Sequence, residues 1–306
     1  MPSPVLTIDR KSWLLLIFLS VLWGGSFFFV AVALRELPPM TLALARVAFA
    51  AAFIYPIFKM QGGSLPATFA GWKPFIVMGL FNNIIPFSLI FAGQARISSG
   101  LASVLNATTP LFALLVLASF GEERLILRRV IGVLIGLAGV YVLRDPDLAT
   151  TEGQTVGMLL CLGGALSYGF SGLWGRRNFN NVPPLTTTTC QLISSSIIMA
   201  LIAGAVDQPW QLPMPGLTTW SAVIGLAALS TALAYILFFR IMAQAGAANV
   251  MLVTLLIPVT AIGLGVLVLG EPLLPREIAG ALVISASLLV IDGRVLRWAR
   301  RRPAGR

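Results

Sequence analysis

Histidine is missing from this sequence, and cysteine is nearly so. The 306 residues contain no histidine and two cysteines, Cys161 and Cys190, which both lie in apolar stretches. The commonest zinc ligand and the usual general base are therefore absent, and no disulfide framework is indicated. We predict no metal site and no cofactor. An enzyme is disfavoured as well, because a nucleophile with its base, or a metal cluster, cannot be assembled from these residues.

Charge is also scarce. Charged residues make up 10% of the chain and hydrophobic residues 58%, whereas soluble domains are about 25% charged. Because about 20 apolar residues cross a bilayer and these runs are continuous rather than alternating, we predict an all-α polytopic membrane protein. The ten predicted spans are 12–34, 40–59, 74–94, 97–119, 126–143, 154–175, 184–206, 217–239, 247–269 and 276–293.

The positive charges predict the orientation. With the N-terminus in the cytoplasm, 16 of the 21 Lys and Arg residues fall on the cytoplasmic side, and six of these are arginines in the tail from Arg294 to Arg306. Both termini are therefore predicted to be cytoplasmic, with the tail near anionic lipids. The net charge of +10 does not indicate nucleic-acid binding, because no basic stripe is interleaved with aromatic residues.

The sequence repeats itself at a distance of about 145 residues. Trp23-Gly24 recurs as Tyr168-Gly169, and Gly121-Glu122 recurs as Gly270-Glu271 after small gaps. Five spans per half is an odd number, so the second half is predicted to enter the membrane from the opposite side. The predicted architecture is two inverted five-helix repeats, residues 1–149 and 150–306, which favours alternating access at their interface.

Three prolines within spans are candidates for helix breaks or gates. Proline lacks an N–H, so the carbonyl four residues earlier loses its helical partner. Pro86, Pro110 and Pro258 would free the carbonyls of Asn82, Asn106 and Thr254. Such carbonyls could coordinate a polar ligand; alternatively, the prolines only bend the helices for packing.

Arg46 is the only strongly charged residue well inside a predicted span. A cation at this depth is costly unless paired or hydrated, so Arg46 is a candidate contact for a substrate carboxylate. The alternative is that it reaches the outer interface or a neighbouring carbonyl. Its repeat counterpart is the uncharged Gln191, so the site would be asymmetric. Because no acid lies in midspan, we predict uncoupled transport or exchange rather than a proton relay, with sodium coupling through backbone carbonyls as an alternative.

Aromatic residues recur in spans 1, 3, 6 and 8. They could stack on a planar ligand or hold an ammonium group, or they could simply face lipid. This set comprises Trp23, Phe27, Phe28, Phe81, Phe87, Tyr168, Trp174 and Tyr235. Separately, Gly132 and Gly136, followed by Gly139, predict close helix packing at a subunit interface or at the seam between the repeats.

Taken as a set, these features resemble a known family. The five-plus-five layout, the Trp-Gly-Gly-Ser stretch from Trp23 to Ser26, and Gly121-Glu122 with its echo are similar to EamA-type exporters of the drug/metabolite transporter superfamily, most of all to YddG-type amino-acid exporters. The resemblance implies a central cavity lined by spans 1, 3, 4, 6, 8 and 9. Its candidate residues here are Trp23, Asn82, Asn83, Phe87, Asn106, Tyr168 and Tyr235.

The leading hypothesis is therefore a bacterial inner-membrane exporter of small amphipathic metabolites, in particular aromatic and other neutral amino acids. The alternatives are an exporter of cationic drugs, nucleotides or sugars and, more remotely, a membrane-embedded enzyme. Besides a small-molecule substrate and the lipid bilayer, no partner is predicted. The chain is expected to be a monomer or a weak homodimer.

Overall fold

A computed structural model describes residues 10–143, 152–245, 250 and 252–292 of the chain, and within these ranges it contains helices and no strand. Ten helical segments follow one another in these ranges. They are α1 (Arg10–Ala33), α2 (Pro39–Met60), α3 (Phe69–Gln94), α4 (Ser99–Ser119), α5 (Leu127–Val142), α6 (Glu152–Asn178), α7 (Pro184–Val206), α8 (Leu217–Ala245), α9 (Val253–Leu269) and α10 (Pro275–Asp292). The arginine-rich tail and part of the predicted ninth span lie outside the described residues.

Seven of these segments, α1 to α4 and α6 to α8, are long and apolar enough to cross a membrane. The segments α5, α9 and α10 have 16, 17 and 18 residues. Large apolar side chains point outward, and Leu134, Leu201 and Leu267 are 61%, 72% and 86% exposed. Because a soluble protein rarely exposes so much apolar surface, the chain is a multi-pass membrane protein.

Proline and threonine set the start of three helices. Pro38 and Pro183 are non-helical, and the prolines that follow them open α2 and α7, close to the predicted starts at 40 and 184. The predicted start of the third span at 74 is wrong by five residues, since α3 begins at Phe69. The Thr68 hydroxyl accepts a bond from the Gly71 amide there, and this cap starts the helix before Pro74.

Two helices contain a wider, π-helical turn. In α3 it covers Leu80–Ile84 and Pro86 follows two residues later; in α8 it covers Ala228–Leu233. Both lie in the third helix of their predicted repeat. Such turns occur frequently at functional sites, because the extra residue leaves backbone groups and side chains in positions that a regular helix cannot provide.

The three glycines of α5 pack against α10. A Cβ atom at Gly139 would lie 3.1 Å from the Ile284 backbone nitrogen, and one at Gly136 would lie 3.0 Å from the Ser287 hydroxyl. Absence of a side chain therefore lets the two backbones approach. Of the two predicted roles for these glycines, the structure supports the contact between the repeats, since α5 and α10 belong to different halves.

Close contacts of one kind recur in both halves. Helix α1 packs against α9, and α6 packs against α4. Gly24 faces the Ile257 carbonyl and Thr260, which a Cβ would approach to 2.8 and 2.6 Å. Gly169 faces Phe112, whose carbonyl oxygen would lie 3.1 Å from an added Cβ. Helix α2 also packs against α7, while α3 contacts α6 and α8 contacts α1.

Candidate functional site

Arg46 lies in the centre of the helix packing. The residue is 8% exposed, and its Nε donates to the Thr231 hydroxyl at 3.0 Å. The guanidinium carbon lies 3.8 Å from the centre of the Phe87 ring and 5.8 Å from that of Phe91. The predicted Tyr168 is partly buried against the hydrophobic core that includes these two rings. Within the described residues no carboxylate pairs with Arg46. The cation is thus stabilised by rings and hydroxyls, without a counter-charge.

An amide and hydroxyl network lies nearby. Asn82 on α3 donates through Nδ2 to the Tyr235 hydroxyl at 2.9 Å and to Gln191 Oε1 at 3.3 Å. Its Oδ1 accepts from the Ser171 hydroxyl at 3.0 Å. Asn82 therefore joins α3 to α6, α7 and α8 at one point, and three sequence-predicted residues meet there.

Asn83, the next residue of α3, is more deeply buried than Asn82 and is also hydrogen-bonded to protein groups. It is fully buried, and its Nδ2 donates to the Ser195 hydroxyl at 3.0 Å. Its Oδ1 accepts from the Tyr235 hydroxyl at 3.5 Å. Satisfied buried amides of this kind fix helix positions. Through its contact with Tyr235, Asn83 thus helps to hold the network in position.

Trp23 connects to this network through a chain of aromatic rings. Its ring centre lies 5.4 Å from that of Phe238, which lies 5.3 Å from Phe239, and Phe239 stacks on Tyr235 at 6.3 Å. Two of the aromatic residues predicted in spans 1 and 8, Trp23 and Tyr235, are therefore linked through Phe238 and Phe239, which were not predicted.

The contacts of two other predicted residues, Phe27 and Asn106, lie outside this network. The carbonyl of Phe27, a buried residue of α1, accepts from Gln94 Nε2 at 2.5 Å and so fastens α1 to the end of α3. The Asn106 carbonyl, which Pro110 was predicted to free, accepts from the Thr109 hydroxyl at 2.7 Å, and a ligand contact at this carbonyl stays a prediction. The side-chain Oδ1 of Asn106 is buried and has no hydrogen-bond partner among the described residues.

The other two prolines differ in their surroundings. Pro86 follows the π-helical turn of α3, in which the Phe81 carbonyl accepts from the Ser167 hydroxyl at 2.8 Å. Pro258 is buried inside α9. A gating role for either proline stays a prediction.

Thr231, Ser171 and Ser195 belong to the site but were not predicted. Thr231 has the clearest signal, because Ser230-Thr231 interrupts an otherwise apolar run. Its hydroxyl donates to the Leu226 carbonyl at 2.9 Å, which leaves the oxygen free to accept from Arg46. Ser171 and Ser195 are ordinary small helix residues in sequence, and only their packing reveals their role.

Comparison with known proteins now identifies this architecture. The model of the EamA-like transporter family matches twice, over residues 11–144 and 155–292. The chain belongs to the EamA-like transporter family. It is a membrane transporter, and its resemblance to EamA-type proteins of the drug/metabolite transporter superfamily is confirmed.

Individual relatives of this EamA-family chain cover nearly its whole length. An uncharacterized transporter of Archaeoglobus fulgidus is 25% identical over 92% of this chain and 98% of its own. A Salmonella typhimurium protein named "Probable amino-acid metabolite efflux pump" is 26% identical over 96% of this chain and 99% of its own. A crystal structure with a TM-score of 0.66 and 21% identity, covering 96% of this chain and 99% of its own, shows the same fold.

Proposed function

We propose that this transporter exports small amphipathic metabolites, in particular aromatic and other neutral amino acids, by alternating access, as an uncoupled carrier or an exchanger. The observation that carries the proposal is the buried Arg46, which has rings and hydroxyls around it and no carboxylate partner among the described residues. A substrate carboxylate supplies the missing charge, as a bidentate acceptor.

The neighbours of Arg46 suit the rest of such a molecule. Phe87 and Phe91 stack with ring centres 5.9 Å apart and offer an apolar, planar surface for a side chain. The oxygens of Asn82 and Tyr235 can accept from an ammonium group in place of their present partners. The name of the Salmonella relative supports the same class of substrate.

Several observations support the ten-span inverted repeat on which alternating access depends. The start of α2 lies against the end of α7, because Thr41 bonds Asp207, and the start of α4 lies against the end of α9, because Ser99 bonds Glu271. Equivalent helices therefore run antiparallel. The contact of Gly24 with α9 has its counterpart in that of Gly169 with α4, and the family model matches each half.

The orientation and the location belong to the same proposal. The excess of Lys and Arg on one side favours cytoplasmic termini, and the proposed location is the inner membrane of a bacterial cell. Relatives named as inner-membrane transporters support this location.

Cationic drugs, nucleotides and sugars are the alternative substrates. A buried guanidinium without an acid repels a cation, which counts against drugs of that charge. A nucleotide carries several negative charges, whereas Arg46 is the one cation among the described residues that lies within this cluster. A zwitterion with one carboxylate fits the charge of the site better.

Counterflow in proteoliposomes, screened across labelled amino acids, tests the substrate. Arg46→Ala is expected to lower uptake of carboxylate-bearing substrates by roughly ten- to a hundredfold, the usual loss for a hydrogen bond to a charged group. Uptake of any cationic dye that the parent protein carries should stay the same or rise, because the repelling charge is removed. Arg129→Ala serves as control, because Arg129 pairs with Glu123 at 2.8 Å away from the cluster. Equal loss for both substrate classes would reduce Arg46 to a structural residue. Exchange of drugs or nucleotides but of no amino acid would overturn the assignment.

A further inference from the structure

Carboxylates tie the two halves of the molecule together on one face: three of them accept from backbone amides, and Glu277 adds a longer bond of 3.5 Å from the Ser98 hydroxyl. This face holds the turns α1–α2, α3–α4, α7–α8 and α9–α10, and we call it the outer face, following the orientation proposed above. Each of the three belongs to one half and accepts from a backbone N–H at the start of a helix in the other half. Asp207 accepts from Thr41 at 2.7 Å, Glu36 from Gly216 at 2.7 Å, and Glu271 from Ser99 at 3.0 Å.

Two of the three links also include the hydroxyl of the same residue. Asp207 Oδ2 accepts from the Thr41 hydroxyl at 3.0 Å, and Glu271 Oε2 accepts from the Ser99 hydroxyl at 2.7 Å. Carboxylates are favourable at this position because the first amides of a helix lack intrahelical partners and carry partial positive charge. Each link therefore completes a helix end that would otherwise lack an acceptor, and it does so only while the halves are in contact.

The Glu271 link is partly enclosed by its surroundings. Its carboxylate fills the space beside Gly265, where an added Cβ would lie 2.5 Å from Oε2. A cavity of about 320 Å³, lined also by Arg35, Gln94 and Leu269, adjoins it. Release of Ser99 would expose the carboxylate to this space, in which water can replace the lost donors.

The opposite face is joined differently. Glu122, the repeat counterpart of Glu271, lies 2.8 Å from Arg177 and 3.8 Å from Arg176, and these arginine side chains are 45% and 51% exposed. Exposed ion pairs contribute little to stability. The two faces therefore differ in how the halves are joined, by carboxylates on helix starts at one face and by exposed ion pairs at the other.

We propose that Glu271, Asp207 and Glu36 form a carboxylate latch that keeps the outer ends of the two halves closed, with Glu271 at its centre. Opening toward the outside requires these carboxylates to leave the helix starts of α2, α4 and α8 together. The proposal rests on the alternating access of the proposed function, but it is independent of what is transported.

Electron-paramagnetic distance measurement tests the latch without any substrate. Spin labels on Ala95→Cys and Leu273→Cys, with Cys161 and Cys190 replaced by alanine, report the separation of the α3–α4 and α9–α10 turns. Ala95 is exposed and Leu273 is 40% exposed, so both sites accept a label. Glu271→Gln keeps the shape of the side chain and removes its charge. We expect a longer distance component, with the open fraction raised roughly tenfold.

Matched variants separate the latch from general damage. Ser99→Ala, which keeps the backbone bond and removes the hydroxyl, should give a smaller shift in the same direction. Glu123→Gln, which alters an ion pair within one half, should leave the distribution unchanged, and Glu122→Gln should not lengthen the distance.

The latch is refuted if Glu271→Gln and Ser99→Ala both give the parent distribution. Should Glu271→Gln fail to fold, Ser99→Ala and Asp207→Asn carry the test. Opening in these variants, combined with no amino-acid counterflow in the parent protein, would refute the substrate proposal and leave the latch in place.

Discussion

Neighbouring glycines in the repeated motif of α1 should respond in opposite ways to the same small change. A Cβ at Gly24 would lie 2.6 Å from the Thr260 Cβ and 2.8 Å from the Ile257 carbonyl oxygen. A Cβ at Gly25 would meet only the Leu264 Cδ1, at 3.9 Å, which is ordinary van der Waals contact. Both residues are buried in the same helix, so they form a matched pair.

The magnitude follows from two opposing terms. Replacing glycine by alanine inside a helix gains about 1 kcal/mol of helix propensity, and this gain is common to both variants. Only Gly24→Ala adds the cost of overpacking against a backbone atom, about 1–3 kcal/mol. The free energies of unfolding of the two variants should therefore differ by about 1–3 kcal/mol. Helix propensity can differ between a detergent micelle and water, but it cancels in this difference because both variants share it.

Thermal unfolding in detergent measures this difference. For a chain of this size 1 kcal/mol corresponds to about 2 °C, so Gly24→Ala should melt roughly 2–6 °C below Gly25→Ala. Gly25→Ala itself should match or exceed the parent. Equal melting temperatures for the two variants would show that α1 and α9 are not packed as closely as described.

Two further outcomes are expected. Hydrogen bonds from the Thr219 side chain and the Gly216 amide lower the Glu36 pKa, so this link stabilises the fold above the ordinary carboxyl pKa and is lost as the pH falls through the lowered value. Glu36→Gln should therefore melt below the parent at neutral pH and match it in acid, and a deficit that persists in acid would contradict the link. The free energy of unfolding of Gly139→Ala should lie about 1–3 kcal/mol below that of Gly172→Ala, because the Cβ at Gly139 would meet the Ile284 backbone. Denaturant titration checks this difference, since a Cβ at Gly172 meets nothing within 4 Å and both variants share the gain in helix propensity.

Composition and proline placement were enough to predict most of the helices. The second and seventh were placed within a residue of their observed starts, because a Pro-Pro pair ends the preceding turn and opens each helix. The third was placed too late, at Pro74. Pro74 instead lies inside the helix, where it removes the amide that would bond the Ala70 carbonyl, and Thr68 supplies the true cap.

Most polar residues of the candidate site could be predicted from the sequence, but their contacts with one another could not. Arg46, Asn82, Gln191 and Tyr235 are conspicuous in apolar runs, and the structure brings them to one region. That Thr231 would be the partner of Arg46 could not be read from spacing. Regular helical periodicity assigns residues to faces, and the π-helical turn of α8 changes that assignment locally.

The two π-helical turns also have a consequence for chain geometry. An α-helix advances by about 100° per residue, so one residue added within a turn rotates everything beyond it by about that angle. In α3 and α8, the residues before and after the π-helical turn therefore point in directions that regular α-helical periodicity would not give. Each part of the helix presents its own face to its own neighbours. One helix can then carry polar residues toward the protein centre and apolar residues toward lipid. A regular α-helix, whose faces stay in phase along its whole length, could not do this with the same residues.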